Sequence, residues 1–185
     1  GNDCTEEAVL KMLNMYGRKQ GKSFGEYMSS LNIVPVSITY EFDPGDVDKA
    51  NELEVRARNN GHYKKAEFED IKSIIKGIYD YKGKVSIVAG KPIEGGFETP
   101  DQLAAIIDKF IYLNYELYPS VMLAAHKLGL VDESMIANIS AEDKAKFEQR
   151  MSEFPKHLHK RIFQMYAYPY INQKRAQEGE LDLKD

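Results

Sequence analysis

The chain has 185 residues, enough for one domain, and a formal charge of −4 from 25 basic and 29 acidic side chains. Apolar residues make up 43% and charged residues 29%, which supports a packed core, excludes wholesale disorder and argues against a dedicated nucleic-acid binder. The single cysteine, Cys4, excludes an internal disulfide framework and a cysteine-rich zinc site, and no run approaches the ~18 consecutive apolar residues of a membrane span.

Asp3 and Glu6 have the spacing of a capping box, and Val9, Met12, Leu13 and Tyr16 follow at helical period, which predicts a helix over Thr5–Tyr16. Ser23 with Glu26 opens a second, short helix through Leu31. Ile33–Tyr40 is β-branched and begins as a nearly continuous apolar run, the pattern of a strand buried on both faces of a parallel sheet. Pro35 lacks an N–H and belongs at the strand start, a bulge or an unpaired position. Asp43-Pro44-Gly45-Asp46 is a turn, and Asp46 is placed to cap a helix over Val47–Arg58.

The clearest helical pattern is Lys64–Tyr81, where Phe68, Ile71, Ile74, Ile75 and Ile78 form one stripe. Lys84–Gly90 reads as a second strand, left through Lys91-Pro92-Ile93. Thr99, Pro100 and Gln102 have the N-cap, first-turn and capping-box positions of a helix carrying Leu103, Ile106, Ile107, Phe110, Ile111 and Tyr115. Pro119 restarts that helix and Gly129 ends it; Ser140 with Asp143 caps another. Pro155 opens a last helix, which Pro169 disturbs or ends.

The expected fold is therefore helix-rich α/β, with two strands in a parallel crossover flanked by seven or eight helices. Two strands are marginal alone. Either they pair with a cryptic strand, or the chain is part of a larger α/β domain.

No nucleophile or base stands out. Nothing beside Cys4 would activate it, so an inert thiol is the expectation. His157 and His159 are two apart on a helix and point to different faces, which suits surface histidines better than metal ligands. His126 lies at a helix end before Gly129, where a positive charge suits the helix dipole. Paired carboxylates such as Glu6/Glu7 and Glu52/Glu54 lie on helices dense with opposite charge and read as solvated faces. From Lys156 to Gln177 five basic residues (Lys156, Lys160, Arg161, Lys174, Arg175) stand with no acidic one, among Phe163, Met165, Tyr166, Tyr168 and Tyr170. Such a segment can dock on an anionic lipid surface, or it can bury its aromatics and leave ordinary surface lysines. Pro169, which would break a long amphipathic helix, favours the second reading.

Several segments together resemble one family. They are the Asn2-Asp3 start followed by Leu10-Lys11-Met12-Leu13, the run Ile33-Val34-Pro35-Val36-Ser37-Ile38-Thr39-Tyr40-Glu41-Phe42-Asp43-Pro44, the pair Tyr81–Val85 and Gly90-Lys91-Pro92, and Ile107-Asp108 with Asn114–Ser120. These look like the C-terminal half of bacterial lysophosphatidic acid (1-acylglycerol-3-phosphate) acyltransferases, and the resemblance runs to about Gln173. It implies residues 1–98 as the C-terminal part of an acyltransferase-like α/β domain, 99–177 as a helical extension and 178–185 as a polar tail. It further implies a role in phospholipid biosynthesis, with acyl-CoA or acyl carrier protein as donor and a lysophospholipid or glycerol phosphate-type acceptor. Val34, Pro35 and Val36 would border the acceptor site. Lys156, Lys160, Arg161, Lys174 and Arg175 would contact a membrane or anionic surface, and the protein would be cytoplasmic, peripheral on the inner membrane face. No cofactor or metal is implied.

The family's His-x4-Asp motif, whose aspartate orients a histidine base, is absent: five residues after His62, His126, His157 and His159 stand Glu67, Val131, Ile162 and Gln164. Its Glu-Gly-Arg phosphate-binding segment is absent too. The departure reads as truncation, with the catalytic half upstream, so the chain is expected to be inactive alone. Exposed strand edges around residues 33–40 and 85–89 would then favour a homodimer. The competing reading is a non-catalytic helical interaction or regulatory module with a complete core.

Overall fold

A computed structural model describes residues 4–179. The described residues form ten α-helices, one 3₁₀ turn and two strands. In chain order these are α1 (Glu7–Leu13), α2 (Met15–Lys19), α3 (Phe24–Ser29), β1 (Val36–Tyr40), α4 (Asp46–Arg58), α5 (Glu69–Tyr79) and β2 (Val85–Ala89), followed by α6 (Pro100–Leu113), α7 (Pro119–Lys127), α8 (Glu133–Ile136), α9 (Ala141–Ser152) and α10 (His159–Glu178), with the 3₁₀ turn at Lys156–Leu158.

Local chemistry explains most of the boundaries. Ser23 accepts a hydrogen bond from the Glu26 N–H while the Glu26 carboxylate accepts from the Ser23 N–H, a complete capping box for α3. Ser140 accepts from the Asp143 N–H at the start of α9. The Asp3 half of the first expected capping box lies outside the described residues; α1 begins at Glu7 and stops at Asn14. α5 is shorter than its apolar stripe, because Phe68 takes a left-handed φ of 60° and Glu69 folds back to accept from the Ala66 N–H. Asp46 sits inside the first turn of α4 and not before it; the preceding turn is closed by Asp43, which accepts from the Gly45 N–H. Pro169 neither ends nor shortens α10, which runs through it. Buried residues on either side of it (Ile162, Tyr166 and Ala167, then Asn172 and Ala176) anchor the helix against the ~3 kcal/mol that an internal proline costs.

The strand pairing corrects the sequence expectation. The two strands form one sheet and run antiparallel: the Gly90 N–H donates to the Pro35 carbonyl near one end, and the Glu41 N–H to the Lys84 carbonyl near the other. A run of β-branched residues specifies an extended chain but not the direction of its partner. The 44 residues between Tyr40 and Val85 hold two helices, yet the chain returns alongside β1 in the opposite sense.

The chain divides into two compact units, each drawing on residues before and after position 98. The first comprises the described parts of Gly1–Thr39, Ser86–Glu116 and Asn172–Asp185. Its core is Leu10, Met28, Phe97, Leu103 and Ala104, with Phe24, Tyr27, Ile93 and Ile107 packed around it. The second comprises Tyr40–Val85 and Leu117–Ile171. Its core gathers Phe42, Leu123, Val131, Ile136, Phe147, Met151, Leu158, Ile162 and Tyr166.

Candidate functional site: an outward apolar face on the sheet

β1 alternates in an inverted sense. Ser37 and Thr39 are buried, while Val36 and Ile38 are 40% and 47% exposed. The covered face is satisfied by hydrogen bonds: Ser37 Oγ donates to the Ile111 carbonyl at 3.0 Å, and Thr39 Oγ1 accepts from the Glu116 N–H at 3.3 Å. Both partners lie at the C-terminal end of α6 and just beyond it, so polar side chains face the helix and apolar ones face out.

The pairing places Val36 opposite Ala89 and Ile38 opposite Ile87, in positions where side chains of neighbouring strands come closest. Ile87 is 67% exposed. Val34 precedes the strand on the same alternation and is also exposed. The result is a continuous aliphatic strip of Val34, Val36, Ile38 and Ile87, facing outward where an ordinary two-layer sheet would show polar groups.

Of the three residues expected at an acceptor site, Val34 and Val36 therefore share this strip, and Pro35 is buried behind it. Pro35 stands immediately before β1, where its missing N–H removes no donor from the strand. It helps to fix the strand exit as well. A Cβ on Gly90 would lie 2.9 Å from the Phe110 ring and 3.0 Å from Pro35 Cγ, so any side chain there would have to push these neighbours aside.

The basic residues of the C-terminal segment differ in exposure and pairing. Lys156, Lys160, Lys174 and Arg175 are exposed, but Arg161 bonds Glu54 at 3.3 Å and Lys174 lies 3.9 Å from Glu178. Hydrogen bonds from Arg161 and Arg58 hold the Glu54 carboxyl below its ordinary range. Tyr166 is buried, and Phe163, Met165 and Tyr170 pack against the core of the second unit. His159 Nε2 lies 3.1 Å from the Phe154 carbonyl, His126 lies 3.1 Å from Glu133, and His62 and His157 are exposed. Among the described residues no group of three or more His, Cys, Asp or Glu side chains could hold a metal ion. None of their helices is long and apolar enough to cross a membrane.

Two polar constellations were not foreseen. In the second unit, Asp46 is 1% exposed and its Oδ2 accepts from Arg150 at 3.0 and 3.2 Å and from the Tyr166 hydroxyl at 2.9 Å. Tyr166 accepts in turn from the Asp43 N–H, and Arg150 lies over the Phe42 and Phe154 rings. Burial and the neighbouring carboxylate push the Tyr166 hydroxyl far above its ordinary range, while Arg150 is held charged by Asp46 despite its own burial. This cluster satisfies its own members, so it reads as a clamp holding the Asp43–Asp46 turn to α9 and α10. In the first unit, the buried Asp108 carboxylate accepts from the Thr5 N–H and hydroxyl. Burial raises the Asp108 pKa against the pull of those two bonds. It lies with Cys4, Thr5 and Asp101 on a cleft of about 230 Å³. In the sequence Asp46 read as a helix cap and Asp108 lies inside an amphipathic helix, and neither position names its distant partner.

No protein-family model, curated protein or solved structure matches the chain.

Proposed function

We propose that the chain is the C-terminal portion of a phospholipid-biosynthesis acyltransferase. A base supplied by residues outside these 185 would take the proton of a hydroxyl on a lysophospholipid or glycerol phosphate-type acceptor. That oxygen adds to the thioester carbonyl of acyl-CoA or acyl carrier protein, and the thiolate departs.

One observation carries this reading: the Val34–Val36–Ile38–Ile87 strip faces outward on a two-stranded sheet whose covered face is polar. An aliphatic strip of this kind is stabilised only when something apolar covers it. Further strands of the same domain and the acyl chain of a substrate both have that chemistry. The Val34-Pro35-Val36 segment and the Gly90-Lys91-Pro92 exit, two of the segments that carry the family resemblance, are paired at the end of this sheet, where the Gly90 N–H donates to the Pro35 carbonyl. Exposed Lys156, Lys160, Lys174 and Arg175 would add peripheral contact with an anionic lipid surface. The alternative, a helical interaction or regulatory module, draws its support from the second unit, whose helices close a core of their own.

The test is an acyl-transfer assay with acyl-CoA and lysophosphatidic acid, together with translation of the locus upstream of the Gly1 codon. The chain alone should not turn over, and the upstream frame should encode His-x4-Asp and Glu-Gly-Arg. Turnover by the chain alone, or an upstream frame without those motifs, overturns the proposal.

A further inference from the structure

Helix α5 is turned inside out. Its stripe of Ile71, Ile74, Ile75 and Ile78 is 52–66% exposed, and Phe68 and Tyr79 at its two ends are 62% and 83% exposed. No residue of α5 is buried, and none of its apolar side chains joins either core. The side turned toward the protein is polar: the Lys76 side chain, at 34% exposure, pairs with Asp48 of α4 at 2.9 Å, and Glu69 accepts from Tyr63. The stripe thus joins the core of neither unit, and aliphatic surface of this extent in water is unfavourable.

From this arrangement we infer that α5 is a self-association surface and that its occupant is the α5 stripe of a second copy of this chain. The area fits. Six side chains exposed to this degree present on the order of 700 Å², close to the ~800 Å² that each partner contributes to a standard stable interface. The chemistry fits as well. An all-aliphatic stripe at i, i+3, i+4, i+7 is its own complement in a two-fold pair, since ridges of isoleucine pack into the grooves of the same pattern. A lipid surface fits less well: residues 64–82 carry five lysines against four acidic residues, and the whole chain is at −4, so little net attraction to anionic headgroups is available. The inference does not depend on acyl transfer, because α5 shares no residue with the strip on the sheet.

Sedimentation equilibrium of the whole chain over a wide concentration range tests it. The expected mass is twice the 21.1 kDa of the chain, undiminished in high salt. Ile75→Glu and Ile78→Glu should each return it to 21.1 kDa with an unchanged far-UV circular dichroism spectrum, while Ile38→Glu on the sheet strip should leave the dimer intact. A wild-type monomer at every concentration overturns the inference. So does a dimer that survives both α5 substitutions, or one that dissolves with Ile38→Glu. Cosedimentation of a monomeric wild type with phosphatidylglycerol-containing vesicles would assign α5 to membrane and also overturn it.

Discussion

Replacing Asp46 with alanine should be the most damaging single change in the second unit. The substitution removes one carboxylate and strands three donors at once: the Arg150 guanidinium, the Tyr166 hydroxyl and the Val47 N–H. Arg150 would keep its charge in a site only 21% exposed and flanked by the rings of Phe42 and Phe154. Breaking a buried ion pair from one side costs about 3–5 kcal/mol, mostly because the remaining charge stays desolvated. In a chain of this length that corresponds to a fall in melting temperature on the order of 10 °C. Urea unfolding of Asp46→Ala, Arg150→Met and the double variant measures both the loss and its origin. Because the penalty is the orphaned charge, the double variant should be less destabilised than the sum of the two single ones by ~1 kcal/mol or more. A loss below ~1 kcal/mol for Asp46→Ala, or strict additivity in the double variant, would refute the clamp.

Three smaller effects follow from the first unit. Asp108 has a raised folded pKa, so between that value and the ordinary carboxylate pKa the folded state binds more protons than the unfolded one. Stability contributed at this site should therefore rise as pH falls through that window, and wild type should gain on Asp108→Asn in melts taken from neutral toward acidic pH; a gap independent of pH contradicts it. Gly90→Ala forces a methyl against Phe110 and Pro35 and should cost about 1–3 kcal/mol by thermal denaturation, with an unchanged melt as the refuting result. Ser23→Ala removes the cap of α3 and should cost about 1 kcal/mol in urea, where no loss would show the capping box to be energetically idle.

Features set by neighbours in sequence were legible. The Ser23–Glu26 box, the Ser140 cap, Pro100 in the first turn of α6 and the apolar stripe of α5 all appear where residue type and spacing place them. Features set by distant partners were not. The Val36-Ser37-Ile38-Thr39 alternation fixes which side chains share a face, but whether that face is covered depends on α6, whose Ile111 carbonyl takes the Ser37 hydroxyl from 74 residues away. The antiparallel pairing was hidden for the same reason, and so was the Asp46–Arg150 pair, which is separated by 104 residues. Within the candidate site, Val34 and Val36 could be named from their segment, whereas Ile87 joined them only through strand register.

The sheet strip is tested most directly by transfer of a labelled acyl group from acyl-CoA to lysophosphatidic acid. The protein to use is the longer polypeptide that carries these residues in frame with sequence on their N-terminal side, as wild type and as Val36→Glu. Wild type should turn over, and Val36→Glu, which places a charge on the strip beside the reacting chains, should lose at least about an order of magnitude in kcat/KM. No turnover by the longer wild-type polypeptide, or full turnover by Val36→Glu, would contradict the proposal.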